Sequence, residues 1–436
     1  MSPEEDYTRR PVFIITAGTA GDIYPLLRIA LALQRRGHAV HFLGPEIHAV
    51  HVQRAGLAFT SIISTADYQQ IMNNPDVWHP RKGVGVILRG IRHSAGSLPA
   101  IIAMLPKDEP CVMLTHPLAV PAAAIARAMR PALRIVTFYL APSNLRSVHD
   151  PLTLGPLHIP RWLPHGVRRW LWRRVDAAMV DPIALPDLNA ARGSAGLPGV
   201  AHFFEHIYGT ADQSVTLFPD WFTATPPDWP QPLHSAHFQL YDPQQGQILP
   251  AELQAFLADG EAPLVFTPGS GNRHAQAYFT QALKAAQALG RRAIFLTPYR
   301  EQIATVLPPS VFWQSYVPLS ALLPHVAVLI HHGGIGTTAE ALRAGTPQLV
   351  VPLAFDQFDN AARVCRLGAG ATLSLGAVRR GRLTVALRAL LAAPGLQAQC
   401  RSLATQFDAD DDEDALCRAI APGEIRVSAM NNPQEQ

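Results

Sequence analysis

The sequence predicts an α/β protein of two halves, each a parallel sheet flanked by helices, with a cleft between them. Two observations carry that expectation. Short, β-branched apolar runs alternate with helix-length segments, as strands covered on both faces require. Each half also opens with a strand that enters a glycine-rich turn. Val12 to Thr16 leads into Ala17-Gly18-Thr19-Ala20-Gly21-Asp22, and Leu264 to Thr267 leads into Pro268-Gly269-Ser270-Gly271.

Composition narrows the class. At 436 residues the chain has room for two domains, and 48% hydrophobic against 16% charged residues describes a globular protein with ample core. A net charge of +3 is too small to argue for a nucleic-acid partner. The four cysteines, Cys111, Cys365, Cys400 and Cys417, show no metal or redox spacing, which suits a reduced, cytoplasmic setting. The polar start MSPEEDYTRR has no signal-peptide pattern, and no apolar run approaches the roughly 20 residues that span a bilayer.

In the first half, the turn after Thr16 leads through Tyr24-Pro25 into a helix from Leu26 to Arg36, and His38 to Leu43 is the second strand. The turn lacks the GxGxxG spacing of dinucleotide binders, which disfavours hydride transfer. Asp22, at the end of that turn, is open to two readings: a helix cap, or a carboxylate placed at the cleft to accept a proton. Arg81 to Leu105 reads as helix with glycine interruptions, and Cys111 to Thr115 and Arg134 to Phe138 as strands. His116 falls at a strand's C-terminal end, where α/β proteins place ligands; with Gly21 and Trp78 it forms the candidate acceptor side. Arg161-Trp162-Leu163 and Arg168 to Arg174 make a basic, tryptophan-rich patch. It is either a surface helix with buried tryptophans or an interfacial helix facing membrane or a lipid substrate.

Ser214 to Phe218 is expected to be the last strand of the first half, giving an N-terminal domain of 1–220. The proline-rich stretch that follows is read as a linker over 221–250. A second domain then spans 251–400, with a helix at 401–425 folding back on the first and a disordered tail at 426–436. The acidic run from Asp408 to Asp414 reads as a solvated helix start.

The densest chemistry lies between Val326 and Asn360. Val326 to Ile330 is a strand, His331-His332-Gly333-Gly334-Ile335-Gly336 a turn, Thr337 to Ala344 a helix and Gln348 to Pro352 the next strand, followed by Asp356-Gln357-Phe358-Asp359-Asn360. A helix N-terminus after a glycine turn offers free N–H groups and partial positive charge to a phosphate. Glycines alone are equally well explained by tight packing. Two histidines before the turn and an acid–amide pair after the next strand suit a ligand with a diphosphate at one end and hydroxyls at the other.

These residues resemble a known family. HHGGIGTTAEALRAGTPQLVVPLAFDQFDN is similar to the nucleotide-sugar signature of family-1 glycosyltransferases of GT-B fold, two Rossmann-like domains facing across a cleft. GTAGDIYP resembles the GxxGDxxP turn of their bacterial antibiotic and sterol branches. LFPDWFTATPPDWPQPLH, PLVFTPGS, YVPLSALLP and AFDQFDNAARVCRLGAG bring the resemblance nearest to the rhamnosyltransferases of rhamnolipid synthesis, over residues 12 to 370. His332 looks more like the sterol and antibiotic branches, and Leu319 stands where many members have glutamine.

The resemblance implies an inverting, metal-independent hexosyltransferase without cofactor. Its donor would be a UDP- or dTDP-sugar, such as rhamnose or glucose, and its acceptor an apolar alcohol. A hydroxyacyl lipid is the first expectation, with peripheral membrane contact; a polyketide, sterol, carotenoid or flavonoid is the alternative. A UDP-GlcNAc epimerase and a non-catalytic nucleotide-sugar binder are readings of another class. By position, Asp22 would be the catalytic base. His332, Gly334, Gly336, Thr337 and Ser270 would hold the diphosphate, Asp356 and Gln357 the sugar hydroxyls, and Tyr316 and Val317 the base. His331 would pack at the strand end.

Overall fold

The computed structural model describes residues 10–16, 18–79, 82–154, 157–243, 248–408 and 412–422. Part of the acidic run and the polar tail at 426–436 lie outside these residues. The first half contributes β1 (Val12–Ile15), β2 (Val40–Pro45), β3 (Ala58–Ile63), β4 (Cys111–Thr115) and β5 (Leu133–Tyr139). A small antiparallel ribbon of β6 (Thr153–Leu154) and β7 (Leu157–His158) follows, then β8 (Gln213–Thr216) and β9 (Leu233–Ser235). The second half contributes β10 (Leu264–Thr267), β11 (Ala293–Leu296), β12 (Val311–Gln314), β13 (Val328–His331), β14 (Gln348–Val350) and β15 (Gly370–Thr372).

The halves build two parallel sheets, ordered β3-β2-β1-β4-β5-β8-β9 and β12-β11-β10-β13-β14-β15. Their strands read as continuous apolar runs because side chains alternate between two covered faces. Val12 and Ile14 pack on Ile23, Leu26 and Leu33 of the helix Ala20–Arg35, while Phe13 and Ile15 pack on Met113 and Ile135 on the other face. In the second sheet Leu264 and Phe266 face Phe279, and Val265 faces Leu253 and Leu322.

Strand order places the site. From β1 the chain steps outward to β2 and β3, then returns to β4 on the other side of β1. The second sheet repeats this from β10, with β13 on its far side. Such a reversal opens a crevice at the carboxyl ends of the two central strands. The turn before Asp22 follows β1 and His116 follows β4; Ser270 follows β10 and His332 follows β13. Both reversals carry candidate residues.

Three features differ from the sequence reading. The first helix begins at Ala20, not Leu26, because Thr19 and Asp22 cap it, and Pro25 lies inside it. Part of the proline-rich stretch expected as linker is built into the first sheet: β9 pairs in parallel with β8, so β8 is not the last strand. The helix Leu396–Ala404 packs on the helix Ile335–Arg343 of the second half. Phe407 then packs on Trp221 and Phe238, and Glu413–Ile420 crosses back, burying Leu416 and Ile420 against the first half and pairing Glu413 with Arg35 at 2.8 Å.

The halves also share a core. Tyr139, Phe218, Trp229 and Phe238 pack with Ala339, Val350 and Ala361. Beside it Arg363, 3% exposed, donates to Asp359 at 2.7 Å, to Asp150 at 2.9 Å and to Thr223. Among the described residues, no helix is long and apolar enough to cross a membrane.

Candidate active site

Asp22 occupies the first turn of the helix Ala20–Arg35, at the cleft. Its Oδ2 accepts hydrogen bonds from the Thr19 amide at 2.5 Å and the Thr19 hydroxyl at 3.1 Å. Both readings of this residue therefore coexist: it caps the helix and presents a carboxyl to the cleft. Burial raises its pKa above the usual carboxylate range, and the Thr19 hydrogen bonds offset part of the rise. Gly18 is required by proximity, since a Cβ there would lie 2.0 Å from Asp22 Oδ2. Gly21 is exposed on the same turn, and Pro25 has no N–H to give its carbonyl.

Asp356 belongs to the other half, yet it senses Asp22. It precedes the helix Gln357–Arg366, and its Oδ2 accepts from Asn360 Nδ2 at 2.7 Å. The Ile335 backbone amide, at the start of the helix Ile335–Arg343, also favours its charged form. Burial, then the charge of Asp22, push its pKa up to about 7, against the pull of these hydrogen bonds. Two carboxyls from opposite sheets thus share one low-dielectric space. Phe355, just before Asp356, is the one non-glycine residue at positive φ (54°) among the described residues, and its ring lies against Gly83 of the first half.

The diphosphate candidates gather around His332. A Cβ at Gly269 or Gly334 would come within 2.8 or 2.6 Å of its ring, so the two glycine turns close on the imidazole from both sides. Burial pushes its pKa down to about 4, and Nδ1 has no hydrogen-bond partner. An orphaned ring nitrogen of this kind needs a ligand or water. A small pocket opens beside it, lined also by Asn272, His274, Leu353 and Arg379. The helix Ile335–Arg343 starts at the same place, with Gly336 and Thr337 in its first turn and open space over Gly336. Ser270 is exposed on the facing turn.

His331 is structural. It is fully buried, its Nε2 meets Gln348 Oε1 at 2.9 Å, and its Nδ1 accepts from the Gly333 amide at 3.2 Å. Gln357 turns inward, its Oε1 accepting from the Leu353 and Ala354 amides at 2.8 and 3.1 Å. Its carbonyl shapes the loop, which leaves only the amide group to meet a sugar. Tyr316 is 46% exposed, and its hydroxyl donates to Asp242 at 3.5 Å. The Val317 side chain, by contrast, is buried among Leu253, Val265 and Leu329, so it cannot reach a base except through its backbone.

On the acceptor side, His116 Nδ1 accepts from the Leu118 amide at 3.2 Å, and its ring meets Phe138 edge-on at 5.8 Å. Burial lowers its pKa to about 4. The Trp78 side chain lies outside the described residues. Sequence reasoning missed Tyr68 and Tyr299. The Tyr68 phenol is raised by burial and by the charge of Asp22, with Tyr299 of the second half adding to it. His48 was also missed: its Nε2 lies 3.2 Å from the Gly18 carbonyl, and its ring meets Tyr68 edge-on. All three follow strands at their carboxyl ends, the one signal that could have marked them.

Comparison with known proteins bears on the fold and on the class of reaction. The glycosyltransferase family 28 N-terminal domain matches residues 12–112, and the erythromycin biosynthesis protein CIII-like C-terminal domain matches residues 284–416. O-mycaminosyltylonolide 6-deoxyallosyltransferase of Streptomyces fradiae is 28% identical, over 96% of this chain and 99% of that protein. The dTDP-epi-vancosaminyltransferase of Amycolatopsis orientalis is also 28% identical, over 90% and 92%. Among solved structures, the glycotransferase of kitacinnamycin superposes with a TM-score of 0.70 at 22% identity, covering 95% of this chain and 100% of that one. Glycosyltransferase VinC in complex with dTDP gives 0.66 at 20% identity, over 94% and 99%. At such identities the structures speak for the fold.

Proposed function

From the premise that this chain is a glycosyltransferase of GT-B fold, we propose that it moves a deoxyhexose from a dTDP-sugar to a hydroxyl of an apolar natural product. The observation that carries this reading is the pairing of Asp22 with Asp356 across the cleft, which puts a proton acceptor within electrostatic reach of the donor-side carboxyl. The choice of donor and acceptor rests on the relatives, whose names specify deoxyallosyl, vancosaminyl and dTDP-linked groups and antibiotic aglycones. The hydroxyacyl-lipid acceptor expected from sequence has less behind it than a natural-product alcohol.

The proposed step is a single inverting displacement. Asp22 takes the acceptor's hydroxyl proton as that oxygen bonds to the anomeric carbon, and the bond from that carbon to the diphosphate breaks with its electron pair. Positioned base catalysis of this kind is typically worth about 10²–10⁴-fold. The departing charge falls on the Gly336 and Thr337 amides and on the unpartnered His332 ring, which act electrostatically without a metal. Asp356 receives the sugar hydroxyls, with the amide group of Gln357 beside it.

The test is to incubate the protein with dTDP-rhamnose or UDP-glucose, alone, with a macrolide or glycopeptide aglycone, and with a hydroxyacyl lipid. Acceptor-dependent release of nucleoside diphosphate with an inverted anomeric product supports the reading. Donor consumption without acceptor points to the epimerase, and binding without turnover to the non-catalytic binder. Activity should survive chelator; EDTA inhibition reversed by Mg²⁺ would overturn the metal-free step.

A further inference from the structure

The turn at Arg161 to Leu163 and the helix His165–Val175 form a surface that the transfer step proposed above does not call on. No Asp or Glu occurs between Asp150 and Asp176, a stretch holding Arg161, Arg168, Arg169, Arg173 and Arg174. The helix has two faces. Inward, Arg168 and Trp172 are buried; the Arg168 guanidinium donates to the Val148 and Arg161 carbonyls and so fastens the turn against the helix. Arg146 stacks on Trp172 at 4.6 Å.

Outward lie Val167 and Trp170, 40% and 55% exposed, in line with Arg174 at i, i+3 and i+7. Met179, 53% exposed, follows five residues on, through the π-turn Asp176–Val180. Trp162, on the fastened turn, is 80% exposed. Among the described residues Arg169, Arg173 and Arg174 have no carboxylate partner, and Arg174 lies over the Trp170 ring at 5.4 Å. Arg161 pairs with Asp150 at 2.6 Å.

Two indoles left in water forgo burial that this side chain strongly favours, and three unpaired guanidiniums beside them lack counter-charges. Both deficits are met at once where a tryptophan sits among headgroups and an arginine meets lipid phosphate. We propose that this face docks the enzyme on an anionic lipid surface. Trp162 and Trp170 enter the headgroup layer, and Arg169, Arg173 and Arg174 bind the phosphates. The docking face is tied to the donor side of the cleft, because Asp150 bridges Arg161 to Arg363 of the helix Gln357–Arg366. This inference stands whatever sugar and acceptor are used.

The test is co-sedimentation of the full chain with vesicles of phosphatidylglycerol and phosphatidylcholine, or of phosphatidylcholine alone. Binding is expected to the anionic vesicles, and it should weaken at high salt. It should fall more than about tenfold in Trp162→Ala/Trp170→Ala and in Arg169→Glu/Arg173→Glu, with vesicle-free turnover unchanged. Failure to bind anionic vesicles, equal binding to neutral ones, or full binding by both variants would overturn the proposal. The first outcome would also cover the case in which an acidic protein is the true occupant.

Discussion

Replacing Asp22 by asparagine tests the cleft in two independent ways. Asparagine keeps an oxygen to accept from the Thr19 amide, so most of the cap, worth roughly 1 kcal/mol, survives and the fold should hold. The base is lost, and kcat should fall about 10²–10⁴-fold, or roughly 3–5 kcal/mol of barrier. The same change removes the charge that helps hold Asp356 near 7, so its pKa should drop toward the ordinary 3.8. The sign of the accompanying stability effect follows. Between 3.8 and about 7 the folded chain retains a proton on Asp356 that the unfolded chain has released, so wild-type stability declines as pH rises through this window. In Asp22→Asn that decline should shrink. Donor KM should likewise rise in the wild type as pH falls through about 7, as the Asp356 carboxylate is protonated, and this rise should move to lower pH in the variant. The assays are acceptor-dependent release of nucleoside diphosphate, donor KM from pH 5 to 9 and denaturant midpoints over the same range. A kcat within tenfold of wild type would remove Asp22 from its role, and an unmoved pH midpoint would refute the coupling to Asp356.

Gly18→Ala should mimic the loss of the base without altering a titratable group, because the added Cβ would lie 2.0 Å from Asp22 Oδ2 and must displace it; retention of full kcat in steady-state assays would argue against the geometry. His332→Ala should weaken dTDP binding by roughly 10- to 100-fold in calorimetry, the range of a hydrogen bond to a charged group, while thermal stability changes little, since Nδ1 has no partner to lose. Arg363→Met should destabilise the chain by about 3–5 kcal/mol in denaturant titration, because it strands the buried carboxylate of Asp359; a loss under 1 kcal/mol would show the clasp between the halves to be weak.

Local chemistry was legible along the chain. β4 and β10 appear at the residues expected for them, because apolar runs covered on both faces carry a strong local signal. The turns at Gly18 and Gly334 were visible for a similar reason, since only glycine tolerates the approach of Asp22 Oδ2 or the His332 ring. The start of the first helix was misplaced because Pro25 reads as a breaker, whereas Thr19 and Asp22 cap the helix five residues before it. β9 was missed because a three-residue strand in a proline-rich stretch has no periodicity of its own, and pairing with β8 alone specifies it.

The sequence by itself determined the alternation of strands and helices, the two glycine turns, and the chemical types gathered at Asp22, His332 and Asp356. Tertiary structure decided what each of them faces. Val317 turned into the core, Gln357 spent its carbonyl on its own loop, and His331 went to Gln348 while His332 was left with an open nitrogen. Asp22 and Asp356, 334 positions apart in the numbering, came into electrostatic contact only because each sheet reverses its strand order at the cleft. The raised pKa of Asp356 comes first from burial and then from that encounter. Desolvation and the field of a distant charge depend on spatial neighbours, which no local pattern encodes.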